Sequence, residues 1–549
     1  MMSYNSLNNN LHNGLKGNTM SIRHLFAALI CASASNYSLA LCENTRSEPG
    51  LEHVYSQAWG TEYNGQRYQA DTTINAENAS DLTLQWSYGL STTRNRSYPL
   101  VTEDTLFIGD GSRGLVALDR ATGCIRWQNN AFVDISTAIV SKQVAGRRLL
   151  IFAQRTTGVY AVDAGNGELL WRSDFNEEPV PLFSGSPLVF EDKVFVPISS
   201  MEVGLAANPF YGCCTTSGGM AALDISSGKL LWYRPTIEEP AQIIGRHYLF
   251  VEEWGPSGAP VWGAPTLDTQ RRLLYYGTGQ NYTRPTSLTS DAIFALHIDT
   301  GEVSWVRQFT AKDSFNMACA ASTDHPNCPQ PMGPDVDFGA PPVLLPLTGG
   351  GDILIAGQKS GDVYGIDPAS GEKLWSTRIG RGGPLGGVHW GIAANPLQQT
   401  VFVPISDVPQ LTPAGDPAPG LYALNAADGS LRWAAPRTER CQQEGCWPGL
   451  SAAITAGPGI VVAGSLDKKL AIYHSESGEQ IWSYDSDRDF NAVNGVDTRG
   501  GGYDAHGPML AGDQLIVTSG YAALGTLGGN ALLVFSVVKA PLPKESTDE

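Results

Sequence analysis

Charge is scarce in this sequence. Of 549 residues only 16% are Asp, Glu, Lys or Arg, well below the roughly 25% usual for a soluble domain. Basic residues are the scarcer kind: 36 Lys and Arg against 54 Asp and Glu leave a net charge of −18. That excess of acid argues against a nucleic-acid binder. No apolar run reaches the length that spans a bilayer. No Cys-x-x-Cys-His occurs, so a covalently attached haem has no motif, and no two cysteine pairs have zinc spacing. Low charge does not mean disorder, because 42% of the residues are hydrophobic. What the chain has in excess is Gly (61), Pro (34) and Trp (13), the composition of many short strands joined by tight turns. Length alone suggests three or four domains.

The first 40 residues read as a polar leader followed by an export signal. Residues 1–19 are Asn-rich, and Met20 is the expected true start. Ser21-Ile22-Arg23-His24 then precedes a short apolar core, Leu25 to Ile30, and small residues with candidate cleavage sites after Ala34 or Ala40. The expected location is the periplasm or the exterior. Leu41, before Cys42, argues against lipidation. A single propeller domain is expected over 51–540 and a flexible tail over 541–549.

A repeat replaces the multidomain estimate. It runs small-apolar-Asp, two spacers, Thr/Ser/Asn/Asp-Gly, three residues, Trp. The copies end at Trp127, Trp171, Trp232, Trp305, Trp375, Trp433 and Trp482, and Trp86 closes an eighth unit whose remainder lies at the carboxyl end. Each unit reads as a strand, a tight turn whose Gly takes positive φ, and a returning strand. One such sheet cannot bury both faces, so the units must stack radially, with Trp packed between neighbours. The fold class is therefore all-β: an eight-bladed β-propeller with tryptophan-docking repeats, its ring closed by the N- and C-terminal strands. Trp59, Trp254, Trp262, Trp390 and Trp447 are left over, three of them in Gly/Pro-rich insertions where a propeller builds its ligand face.

The repeat and its insertions resemble the eight-bladed pyrroloquinoline-quinone (PQQ) alcohol dehydrogenases, and within them the polyvinyl alcohol dehydrogenase-like proteins. The strings that carry this are Trp254-Gly255-Pro256-Ser257-Gly258-Ala259-Pro260-Val261-Trp262, Tyr276-Gly277-Thr278-Gly279-Gln280-Asn281-Tyr282 and Gly333-Pro334-Asp335-Val336-Asp337-Phe338-Gly339-Ala340. Gly357-Gln358-Lys359-Ser360-Gly361, His389-Trp390 and Pro448-Gly449-Leu450-Ser451 add to them.

That resemblance implies an exported dehydrogenase for secondary or polymeric alcohols. It would use PQQ and Ca²⁺ and pass electrons to a separate acceptor, cytochrome c or a quinone. Glu202, Gln280 and Asp337 are implied as metal ligands, Gln280 falling where relatives have Asn. Asp337 is also implied as the base that takes the substrate proton. Trp262 would be the floor on which the flat quinone stacks and Lys359 the contact to its oxygens. Cys213, Cys214, His389, Trp390 and Trp447 complete the implied cofactor surroundings. The chemistry asks for such a set: a hard cation with oxygen ligands polarises the quinone, a carboxylate removes the alcohol proton, and the cofactor carries the redox step.

Each residue has a competing structural role. Asp337 caps a turn, with Asp313 and Asp335 as rival bases; Glu202 is a loop acid; Trp262 packs between blades; Lys359 is a solvated turn lysine; His389 is a hydrogen-bonded loop histidine. Gln280 for Asn, and Ser217 where relatives carry Arg, depart from the family pattern. Gly339 stands where lanthanide-using relatives have an extra Asp, which favours calcium. The repeat alone also resembles an outer-membrane assembly lipoprotein, which implies the alternative of a cofactor-free or degenerate scaffold. Among the cysteines, Cys319 with Cys328 and Cys441 with Cys446 read as local disulfides. Cys213-Cys214 forms a vicinal bridge or each partner pairs elsewhere, and the pairing of Cys42 and Cys124 is left open.

Overall fold

The computed structural model describes residues 41–42, 50–173, 177–409, 415–439, 446–521 and 526–537. The expected leader and signal over 1–40 and the tail over 541–549 lie outside these.

Within the described residues, eight antiparallel sheets follow one another around a ring. Blade 1 shows the pattern: Leu100–Val101, Thr105–Gly109, Leu115–Asp119 and Ile125–Asn129 pair in chain order. The Thr105–Gly109 strand is buried throughout, because both its faces meet neighbouring blades, while Ile125–Asn129 is half-buried at the rim. Blade 8 is the exception in connectivity. Met509–Ala511, Gln514–Ser519 and Ala531–Val537 take Leu82–Gly89 as their outer strand, with Leu82 opposite Val537 and Gly89 opposite Ala531. The ring is closed by strands from the two ends of the repeat, as expected.

The repeat now has a physical account. Asp119 Oδ1 accepts from the Thr122 N–H at 3.0 Å, and the Gly123 N–H donates to the Asp119 carbonyl at 2.8 Å. Those bonds build the turn, in which Gly123 sits at φ 74°. A β-carbon there would also come within 2.7 Å of the Trp86 ring from the adjacent blade. Glycine is required twice over, for the backbone and for the indole that lies on it. Each indole then donates to a backbone carbonyl of the next blade, at 2.8–3.2 Å: Trp86 to Arg120, Trp127 to Ala164, Trp171 to Ile225, Trp232 to Ile298, Trp305 to Pro368, Trp375 to Ala426, Trp433 to Ser475 and Trp482 to Leu82. The eighth of these bonds closes the circle.

Three disulfides are described: Cys42–Cys124, Cys213–Cys214 and Cys319–Cys328. The pairings left open in sequence are thereby assigned. Cys446 is disulfide-bonded, and Cys441 lies outside the described residues.

Candidate active site

In an antiparallel blade, the start of the first strand and the end of the second lie at the same edge. The candidate residues collect there. Trp262 precedes Thr266–Asp268, Asp337 precedes Val343–Pro346, and His389 and Trp390 precede Ala393–Asn395. Gln280 follows Leu273–Gly277, Lys359 follows Asp352–Gly357, and Glu202 follows Lys193–Ser200. A cavity of about 650 Å³ opens at this edge, and Trp262, Gln280, Asp337, His389 and Trp390 line it.

Asp337 is the hub. Its Oδ2 accepts from Trp262 Nε1 at 2.9 Å and from Lys359 Nζ at 3.2 Å, and its Oδ1 accepts from the Gln280 backbone N–H at 3.0 Å. Lys359 also donates to Asp335 Oδ1 at 2.9 Å. Burial opposes the ammonium charge, but Asp335 and Asp337 outweigh it and raise the Lys359 pKa. The two rival bases are committed elsewhere. Asp313 accepts the backbone N–H groups of Asp335 (3.1 Å) and Val336 (2.9 Å). Asp335 is buried against Lys359, and burial raises its pKa. Of the three, only Asp337 lines the cavity. Lys359 is a buried ion-pair partner, and the solvated-turn alternative is set aside.

Trp262 lies against backbone: a β-carbon at Gly339 would run into its six-membered ring. His389 and Trp390 meet the indole edge-on at 5.8 and 5.3 Å between centroids. Lys359 Nζ lies 5.7 Å from the ring centroid. Gln280 donates Nε2–H to the Phe315 carbonyl at 3.2 Å, while its buried Oε1 has no hydrogen-bond partner among the described residues.

Other expected residues stand apart. Glu202 is buried and saturated by its own loop: Thr215 N and Thr216 N at 2.8 Å, Thr216 Oγ1 at 2.6 Å and Tyr211 Oη at 2.9 Å all donate to it. Cys213 and Cys214 are buried beside that loop, Cys214 Sγ lying 4.0 Å from the Glu202 carbonyl. Trp447 donates to the Ser406 carbonyl at 2.7 Å. None of these four lines the cavity. Among the described residues no group of three His, Cys, Asp or Glu side chains is placed to hold a metal ion.

Several lining residues had no signal in the sequence. Arg94, Arg96 and Arg155 bring three cations to the cavity, Arg96 lying 4.9 Å over the Trp390 ring. Position within the repeat was the one available clue, since Arg155 follows the second strand of its blade as Gln280 and Lys359 do. Asp504 also lines the cavity and accepts from Ser451 Oγ at 2.7 Å, and Ser451 is 2.7 Å from His389 Nδ1. Burial, with Lys359 and Arg96 nearby, lowers the His389 pKa to about 3 and keeps the imidazole neutral.

The polyvinylalcohol dehydrogenase of a Pseudomonas species is 36% identical over 496 residues, covering 87% of this chain and 76% of that relative. This chain belongs to the PQQ-dependent propeller alcohol dehydrogenases, close to the polyvinyl alcohol dehydrogenase-like proteins. A second polyvinylalcohol dehydrogenase, from Sphingopyxis sp. (strain 113P3), is 33% identical over 501 residues, with the same coverage of 87% and 76%. The family described as glucose/ethanol/alcohol dehydrogenase, beta-propeller domain, matches residues 180–379. That described as outer membrane protein assembly factor BamB matches 70–243 and 346–531, the stretches carrying most of the bare repeat. In fold, the quinohemoprotein alcohol dehydrogenase from Comamonas testosteroni superposes with a TM-score of 0.66 over 89% of this chain and 82% of that one, at 18% identity. The protein is thus a PQQ-type quinoprotein alcohol dehydrogenase, an enzyme and not a bare scaffold.

Proposed function

We propose that this dehydrogenase is exported and oxidises secondary alcohols, polymeric ones included, to ketones with PQQ and Ca²⁺, delivering electrons to a separate cytochrome c or quinone acceptor. The observation that carries the reading is the Asp337 carboxylate, held in the cavity by Trp262, Lys359 and the Gln280 backbone. The residues present suit both groups. A flat polycarboxylate finds an indole face and three arginines in a space of about 650 Å³, within the range of about 300–1,000 Å³ usual for ligand pockets. A hard cation finds the unpartnered Oε1 of Gln280, a residue whose backbone N–H bonds Asp337. Gln280 and Asp337 are the proposed ligands. Glu202 would join them by exchanging one of its hydrogen-bond donors for the cation.

When bound, PQQ supplies the hydride acceptor and Ca²⁺ the Lewis acid. The chain supplies the rest. Asp337 would take the alcohol proton, and Lys359, ion-paired to it at 3.2 Å, would supply positive charge beside the bound cofactor. Trp262 would hold the cofactor, with neutral His389 and Trp390 set against the indole. Cys213–Cys214 and Trp447 act further out, bracing the loops of Glu202 and Ser406. Three disulfides support an oxidising compartment. Purified protein mixed with PQQ and Ca²⁺ is expected to gain dye-linked oxidation of secondary alcohols and of polyvinyl alcohol. Silence across such a panel overturns the reading.

A further inference from the structure

Between blades 3 and 4 the chain makes a separate two-stranded hairpin, Gln242–His247 with Val251–Gly255. Its tip is apolar and outward: Leu249 is 96% exposed and Phe250 69%, with Tyr248, Ile243 and Ile244 also exposed. Phe210, 67% exposed, completes the cluster from the Glu202 loop. Its ring lies 5.7 Å from that of Tyr248 and 6.5 Å from that of Phe250, nearly parallel to the latter. Tyr248 and Leu249 both hold left-handed φ, 47° and 67°, a conformation that favours glycine and is strained for a leucine. Solubility and backbone economy both argue against this arrangement, and contiguous apolar patches of this kind mark binding sites.

The hairpin is tied to the cavity loop. His247 Nε2 lies 2.9 Å from the Pro209 carbonyl, and the Trp254 N–H donates to the Cys213 carbonyl at 2.9 Å. The loop so gripped begins at the short helix Glu202–Leu205, whose Val203 lines the cavity and whose Leu205 is exposed. One loop thus joins cavity and patch: Val203 near its start lines the cavity, and Phe210 further along meets the hairpin rings.

We propose that this rim binds the length of a polymeric secondary alcohol that the cavity cannot hold. The inference rests on the function proposed above and adds a subsite to it. A cavity of about 650 Å³, shared with a cofactor, admits only the reacting end of a long chain. The remainder leaves through the mouth and must lie on the surface beside it. A chain alternating methylene with hydroxyl-bearing carbon presents an apolar edge to flat rings and keeps its hydroxyls in water, which suits Phe210, Tyr248 and Phe250. Arg246 pairs with Glu252 at 2.9 Å and Arg234 with Glu238 at 2.6 Å, so among the described residues the hairpin offers no free cationic cluster of the kind that an anionic lipid surface attracts. Rim binding raises the local concentration of hydroxyl groups at the cavity, so its benefit appears only with long substrates.

The test is a triple variant, Phe210→Ser, Leu249→Asn, Phe250→Ser, in the PQQ- and Ca²⁺-loaded enzyme. We expect KM for polyvinyl alcohol to rise about tenfold or more, with kcat and the KM for a short secondary alcohol unchanged. Polymer co-sedimentation with the cofactor-free protein is expected to fall in parallel. Equal changes for polymer and short alcohol, an unchanged polymer KM, or a shift confined to the electron acceptor each overturn the subsite. A parent protein that binds polymer through the hairpin but oxidises no alcohol overturns the proposed function and leaves the subsite standing. One that oxidises short alcohols without binding polymer does the reverse.

Discussion

Trp262 donates its indole N–H to Asp337 Oδ2 at 2.9 Å. The surface proposed to support the cofactor and the group proposed to take the substrate proton are thus one hydrogen-bonded unit, with Lys359 donating to the same Oδ2. A shift of either moves the other. Because Gly339 gives the indole room against the backbone, the unit is set by four residues from two consecutive blades.

Asp337→Asn keeps the shape and removes the charge. Turnover is expected to fall by about 10²–10⁴-fold, the usual share of a general base. Retained quenching of tryptophan fluorescence by PQQ would separate lost proton transfer from a lost site. Full activity in this variant excludes Asp337 as the base.

Arg96→Gln and Arg155→Gln each remove one cavity cation. Charge-assisted bonds are worth about 1.5–3 kcal/mol, so PQQ affinity is expected to fall at least about tenfold per substitution. The loss should shrink as salt is raised, which fluorescence titration at two ionic strengths reads directly.

Gly339→Asp places a β-carbon in the Trp262 ring position. The expected outcome is displacement of the indole and weaker PQQ binding, with no gain of lanthanum-dependent oxidation. A variant that binds PQQ normally and turns over with La³⁺ contradicts this account of the floor.

His389 is one of several buried groups that set the pH dependence; burial raises Glu178 to about 8, Asp335 to about 7 and Asp313 to about 6, and these act in the opposite sense. The folded pKa of His389, about 3, lies below the ordinary value of about 6.5. Between these the unfolded chain binds the extra proton, so stability rises with pH across the window and is lost as pH falls through it. His389→Asn is expected to flatten the stability–pH slope by up to about 1.4 kcal/mol per pH unit there. His506, lowered to about 3 by burial and by Arg96 and Arg67, keeps a similar slope in the variant. Denaturant titrations at pH 4, 5 and 6 measure the difference.

The ring was legible because its signal is local and repeated. The Asp–Gly–Trp spacing writes turn, strand and docking indole into one short stretch, and Trp86 could be assigned to the last blade before its partner strands were known. Asp337, Lys359 and Trp262 were legible through family strings; Asp337 and Trp262 line the cavity, and Lys359 reaches it only through its ion pair with Asp337. Glu202 was legible only as a carboxylate: that Thr215, Thr216 and Tyr211 would occupy it depends on how its loop folds back. Arg94 and Arg96 precede blade 1 and Arg155 follows the second strand of blade 2, and no spacing along the chain announces that they share a cavity with Trp262 of blade 4. The Cys42–Cys124 bridge, spanning 82 residues, is the same kind of contact.

The pairing of Leu82–Gly89 with Ala531–Val537 also has a consequence in time. The blade that seals the circle needs strands separated by nearly the whole polypeptide, so it can assemble only after the last repeat is available. Until then Leu82–Gly89 has no sheet to join and presents the unpaired, aggregation-prone edge of a lone strand. A polypeptide cut short before Ala531 should therefore lose more than one blade's worth of stability: it would be an open arc with two sticky ends, suited to joining other arcs and not to enclosing a cofactor.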